Sequence, residues 1–119
     1  MTQAASQAAA FFRDVARTGH LWTVTDARGM PTSKDVMPFW SSQSRVKRII
    51  ARVPAYAGFE PCELMLADFL EQWLPDLERD SIRVGANWSG TRAVGYDYLP
   101  HEVRQRLEWE LQQLQSARI

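Results

Sequence analysis

The stretch from Ser41 to Val53 constrains this chain more than any other. Val46, Ile49, Ile50 and Val53 recur at helical spacing, and Arg45, Arg48 and Arg52 fall together on the opposite face. A helix patterned this way buries one side only, so it must lie on another layer of structure. Ser41 or Ser42 can accept from the free N–H groups at its start, and Pro54 stops it. The residues around it have a different period. His20–Asp26 is rich in β-branched and aromatic side chains and predicts a strand, as does Val36–Trp40. Pro38 lacks a donor N–H, so the second strand is expected at an edge or irregular there.

The remaining elements follow from the same reasoning. Gln3–Arg17 carries Ala8, Phe11, Phe12 and Val15 as one helical stripe, and Gly19 ends it. Asp26–Gly29 fits a type I turn, and a polar loop leads into Val36. Glu60–Leu66 predicts a third strand, and Asp68–Leu74 a short helix that Pro75 ends or kinks. Residues 82–98 predict a hairpin. A turn at Ser89-Gly90-Thr91 pairs Val84 with Tyr96 and Ala86 with Val94, which sets Ile82, Val84, Ala86 and Trp88 on the face of Val94, Tyr96 and Tyr98. Gly85 and Gly95 then share the other face, where a second backbone could come close. A last helix runs over 100–116, with Val103, Leu107, Leu111 and Leu114 as a narrow stripe and Glu102–Arg106 and Arg104–Glu108 as i, i+4 pairs.

The order α-β-β-α-β-α-β-β-α predicts an α+β fold, a sheet of about five strands, partly antiparallel, with helices packed on it. The 119 residues suit one domain, 1–119. No apolar run is long enough to span a membrane. The Ala-rich start lacks the basic and apolar regions of a signal peptide. One cysteine, Cys62, excludes an internal disulfide. These points set a cytoplasmic location as the expectation, and they leave the Asn87-Trp88-Ser89 sequon without meaning.

Four segments carry a resemblance: Leu21-Trp22-Thr23-Val24; Pro38-Phe39-Trp40-Ser41-Ser42 with Arg45; Phe69-Leu70-Glu71-Gln72-Trp73-Leu74-Pro75; and Val84-Gly85-Ala86-Asn87-Trp88-Ser89-Gly90. Together they resemble a family of small bacterial proteins, number 2750 among the domains of unknown function, over Phe11 to Tyr98. The resemblance implies a bacterial, cytoplasmic α+β domain and no assigned activity, and it does not carry the helix beyond Pro100. The strand–turn–strand–helix opening is also similar to domains of secretion-associated and toxin-immunity proteins, an analogy at the level of the fold.

Charge is the strongest functional signal. The chain is neutral overall, yet residues 1–58 hold eight cationic side chains against three carboxylates, and residues 59–119 hold six against eleven. A polarised surface favours oriented association with a charged partner. A neutral chain is a poor match for nucleic acid, whose binders are strongly basic. The expected binding surface is therefore Trp40, Ser41, Ser42, Arg45, Arg48, Arg52 and Tyr56, facing an acidic protein. Trp40 and Tyr56 flank the basic helix and are expected to be exposed. The alternative is a small anion held at the Ser41–Ser42 helix start with Arg45.

No catalytic set stands out. Cys62 lies between Glu60 and Glu63, which would raise a thiol pKa. His20 and His101 have no ligand spacing, and no pair of carboxylates or glycine-rich cradle stands apart. A hydrolase using Cys62 or His20 is the remaining alternative. The expectation is a non-enzymatic protein-binding module, immunity-like in type, with no cofactor or metal. The leucine stripe of the last helix leaves a homodimer open.

Overall fold

The computed structural model describes residues 2–30 and 35–117. The polar loop expected before Val36 falls at 31–34, outside the described residues. The helices are α1 (Gln3–Thr18), α2 (Gln43–Arg52), α3 (Leu66–Asp68), α4 (Leu74–Arg79) and α5 (Pro100–Ser116). The strands are β1 (His20–Thr25), β2 (Val36–Phe39), β3 (Glu60–Met65), β4 (Arg83–Ala86) and β5 (Asp97–Tyr98). The fold is α+β with five strands, and the predicted element order holds.

The five strands form two sheets rather than one. Antiparallel β1–β3 makes a two-stranded sheet, and β2–β4–β5 makes a three-stranded one with β2 parallel to β4. A single bridge joins them: Trp22 and Trp40 exchange both backbone bonds, at 2.8 and 2.7 Å. Pro38 explains why the junction is so brief. Backbone groups alternate sides along a strand, and Phe39 bonds towards β4 through Asn87 N–H. The missing N–H of Pro38 therefore faces β1. There the Thr23 hydroxyl donates to the Pro38 carbonyl at 2.8 Å.

The same alternation divides the apolar residues between two cores. Leu21, Met37, Phe39, Val84 and Ala86 face α1, α4 and α5 and join Phe11, Phe12, Phe69, Leu74, Val103 and Leu107. Trp22, Val24, Trp40 and Trp88 belong to a smaller cluster with Val46 and Ile49 of α2, Val53 just after it, and Tyr56 and Phe59. The predicted buried face of α2 is thus the one observed, and Ser42 is the cap, its Oγ accepting from Arg45 N–H at 3.2 Å.

Of the two outcomes expected at Pro75, an end or a kink, the end does not occur: the helix is distorted just before the proline and runs on. α3 passes into a π-helical turn over Phe69–Trp73, and α4 continues to Arg79. In that turn Leu74 N–H reaches back five residues to the Phe69 carbonyl. By the same spacing Pro75 would serve the Leu70 carbonyl, but it has no N–H. The Arg104 guanidinium of α5 donates to that carbonyl instead. Arg104 is consequently not paired with Glu108. Glu102 turns back to accept from Leu99 N–H at 2.8 Å, and Arg106 lies over the Phe12 and Trp109 rings, near Glu110.

The hairpin register is also corrected. Val84 pairs with Tyr98 and Gly85 with Asp97, while Ser89 and Val94 form an isolated bridge around a four-residue tip, 90–93. The tip holds four residues instead of three, and Asn87, at φ 51°, breaks the alternation between that tip and β4. Trp88 is thereby turned onto the opposite face from Val84 and Ala86. Its indole lies against Gly85 and Gly95, where an added Cβ would sit 2.5 Å and 2.9 Å from the ring. The glycines accommodate this half-buried ring and not a second backbone. Val94 and Tyr96, expected to face the core, are exposed.

Candidate functional site

A cleft of about 270 Å³ opens between α1, α2 and the loop that follows β4. Gln3 and Gln7 of α1 form one wall, and Arg45, Arg48, Ile49 and Arg52 of α2 form another. Trp88, Ser89, Gly90 and Thr91 close the third side. The three arginines stand at i, i+3 and i+7, which places them on one flank of the helix. Arg45 is half-buried and donates through Nη1 to Gln7 Oε1; Arg48 and Arg52 are exposed. The cleft lining contains no carboxylate, and among the described residues none of the three arginines has an ion-pair partner. Gln3 is also the first residue of α1, whose first turn has no acidic side chain. The positive end of that helix adds to the cationic character of the cleft.

A buried polar hub fixes the three walls. Asn87 is 1% exposed, and its Oδ1 accepts from Ser41 N–H at 2.8 Å. Its Nδ2 donates to Ser41 Oγ at 3.0 Å and to the Gln7 main-chain carbonyl at 3.1 Å. One amide therefore ties α1, the entry to α2 and the end of β4 together, with its side-chain nitrogen and oxygen both engaged. Read from the sequence, Asn87 falls in a sequon and in the resemblance and is given no structural role. The signal that could have marked it is an asparagine within a strand-like run, because asparagine tolerates the left-handed region.

The structure brings only part of the sequence-predicted surface together. Arg45, Arg48 and Arg52 line the cleft. Trp40 does not: it is fully buried, its indole N–H donating to the Trp88 carbonyl at 2.8 Å. Its expected exposure is corrected, because Val53, Tyr56 and α2 cover it. Ser41 is buried in the asparagine hub, and Ser42 is occupied as the cap. Tyr56 is half-buried, edge-on to Trp40 at 6.1 Å between ring centres, and burial raises its pKa above the ordinary phenol value.

The other candidates stay apart. Cys62 pairs with Thr23 and His20 with Met65 across β1–β3, so alternation sets the thiol and the imidazole on opposite faces of the sheet. His20 Nδ1 lies 3.2 Å from Glu63 Oε2, and His101 Nδ1 lies 3.2 Å from Glu78 Oε1. Among the described residues, no three His, Cys, Asp or Glu side chains gather to hold a metal. No described helix is long and apolar enough to cross a membrane.

Comparison with known proteins places these features in a class first. Residues 8–107 match a family of unknown function. The chain belongs to that family, described as Protein of unknown function (DUF2750). The match begins at Ala8 and ends at Leu107, the first and last buried apolar residues among those described. It extends further than the resemblance read from the sequence and takes in the first half of α5. No curated protein and no solved structure gives a significant match.

Proposed function

We propose that this chain is a non-enzymatic binding module that docks an acidic partner protein on the basic flank of α2. The observation carrying this reading is the cleft wall of Arg45, Arg48 and Arg52, free of carboxylates among the described residues. Guanidinium groups are suited to carboxylates because their planar fork matches two oxygens at once. An immunity-type role is the form of this reading in which the partner is an enzyme covered by the module. Location in the cytoplasm is part of the proposal and is supported by the single free cysteine, Cys62.

The small-anion alternative is favoured at the same cleft rather than at the start of α2. The Ser41 and Arg45 N–H groups there already have acceptors in Asn87 and Ser42.

Capture from native-cell lysate at physiological salt tests the docking reading, with Arg48→Glu against Arg79→Glu as a charge reversal elsewhere. The expected result is one stoichiometric acidic protein retained by wild type and Arg79→Glu and lost by Arg48→Glu. Added salt should slow its association, as it does for steered charged pairs. Equal retention by all three proteins, or recovery of nucleic acid instead, would remove the reading.

A further inference from the structure

We propose that the group seated in the cleft is the C-terminal residue of the partner chain, an apolar side chain carrying a free carboxylate. This rests on the docking reading above and specifies its contact. The lining is cationic on its α2 wall, and its apolar part is the half-buried Trp88 indole, with nearly buried Ile49 at its margin. Its volume of about 270 Å³ lies just under the usual range of about 300–1,000 Å³ for small-molecule pockets, which suits one residue better than a nucleotide.

Both parts of the lining are held in place before anything binds. The Trp88 indole rests on Gly85 and Gly95, and its N–H donates to the Tyr96 carbonyl at 3.0 Å. Arg45 is oriented by Gln7 Oε1, and Gln7 is itself tied to Asn87 through its main chain. A guanidinium has five N–H donors, so Arg45 keeps others for a ligand. Because Gln7 accepts through Oε1, its amide NH2 has no acceptor among the described residues and is a further donor. Preorganised donors around an apolar ring lower the ordering cost of binding. An internal Asp or Glu of a partner would satisfy the arginines but leave the half-buried Trp88 ring uncovered. A terminal apolar residue supplies both chemistries at once.

Titration of the full chain with three small probes tests this, following the indole N–H signal of Trp88 assigned with Trp88→Phe. The probes are N-acetylleucine, its amide, and the α-amide of N-acetylglutamate. N-acetylleucine should bind at millimolar concentration, at least about tenfold more tightly than either control, and Arg45→Gln or exposed Arg48→Gln should each weaken it about tenfold, the loss of one charge-assisted contact. Equal binding of the leucine amide, equal binding of the glutamate probe, or no binding of N-acetylleucine overturns the assignment. So does a captured partner that keeps its affinity when its C-terminus is extended. Capture lost in Arg48→Glu together with no N-acetylleucine binding would remove the occupant and keep the docking face. Capture indifferent to Arg48→Glu would remove the docking face itself.

Discussion

The two faces of the strand layer are built from alternating residues of the same strands, yet they are covered in different ways. On one face, α1, α4 and α5 bury Leu21, Met37, Phe39, Val84 and Ala86 in one continuous apolar core. On the other, a single ten-residue helix, α2, packs with Tyr56, Phe59 and Trp88 over Trp40 and Val24. The first face is closed by helix-on-sheet packing. The second is closed by aromatic rings and one buried amide, and the cationic cleft runs along the flank of α2, between it, α1 and the 88–91 loop. In this molecule the candidate binding site lies beside the single helix of the thinner layer.

Breaking the small core should have the largest effect. Trp40→Ala empties a fully buried site and removes the indole bond to Trp88, and should cost about 3–5 kcal/mol in urea unfolding. Phe39→Ala, one residue earlier and facing the other way, should cost a similar amount. A loss under about 1 kcal/mol for Trp40→Ala would mean that the α2 face is an accessory layer and not a second core.

Asn87→Ala comes next. It leaves Ser41 N–H buried without an acceptor and puts a Cβ-bearing residue without a compensating side-chain bond at φ 51°. About 2–3 kcal/mol is expected, from one unsatisfied buried donor plus left-handed strain. Asn87→Gly should recover part of this, because glycine removes the strain and not the lost bonds.

On the large-core face, Arg104→Met should cost about 1–2 kcal/mol by leaving the Leu70 carbonyl unpaired. In a Pro75→Ala background the cost should shrink, because the restored N–H can serve that carbonyl. A double-mutant cycle gives the coupling, and strict additivity would reject the substitution of Arg104 for the missing proline donor.

The smallest effect concerns Tyr56. Burial holds its phenol above the ordinary value of about 10, so the folded state retains the proton more strongly than the unfolded chain. Its contribution is fully present below about pH 10 and declines as pH rises towards the folded pKa. Tyr56→Phe should shift neutral-pH stability by under about 0.5 kcal/mol and flatten the alkaline limb of a pH–stability profile. An unchanged alkaline limb would place the titration elsewhere.

Much of this was legible because it is local. The Ser42 cap, the apolar face of α2, the turn at Asp26–Gly29 and the start of α5 at Pro100 depend on residues within a few positions of one another. The arginine stripe was legible for the same reason. Whether Pro75 ends or only distorts its helix was not legible, because its missing N–H is compensated from Arg104 on another helix, through a contact 34 residues away. Trp40 was misread because sequence places it beside a basic helix, while its burial is decided by Val53, Tyr56 and Trp88.

The sequence by itself determined which segments are helix and which are strand, that they make one α+β fold, and that cationic side chains gather along α2. Period and capping act over one or two turns of chain, and they survive without tertiary context. Only the tertiary structure decided the rest: two sheets meeting at Trp22–Trp40, the shifted register of β4 and β5, and the cleft of α1, α2 and the 88–91 loop. Each of these depends on which distant groups satisfy a buried donor or fill a space. Asn87 shows the reason most directly, since one side chain joins residues 46 and 80 positions away.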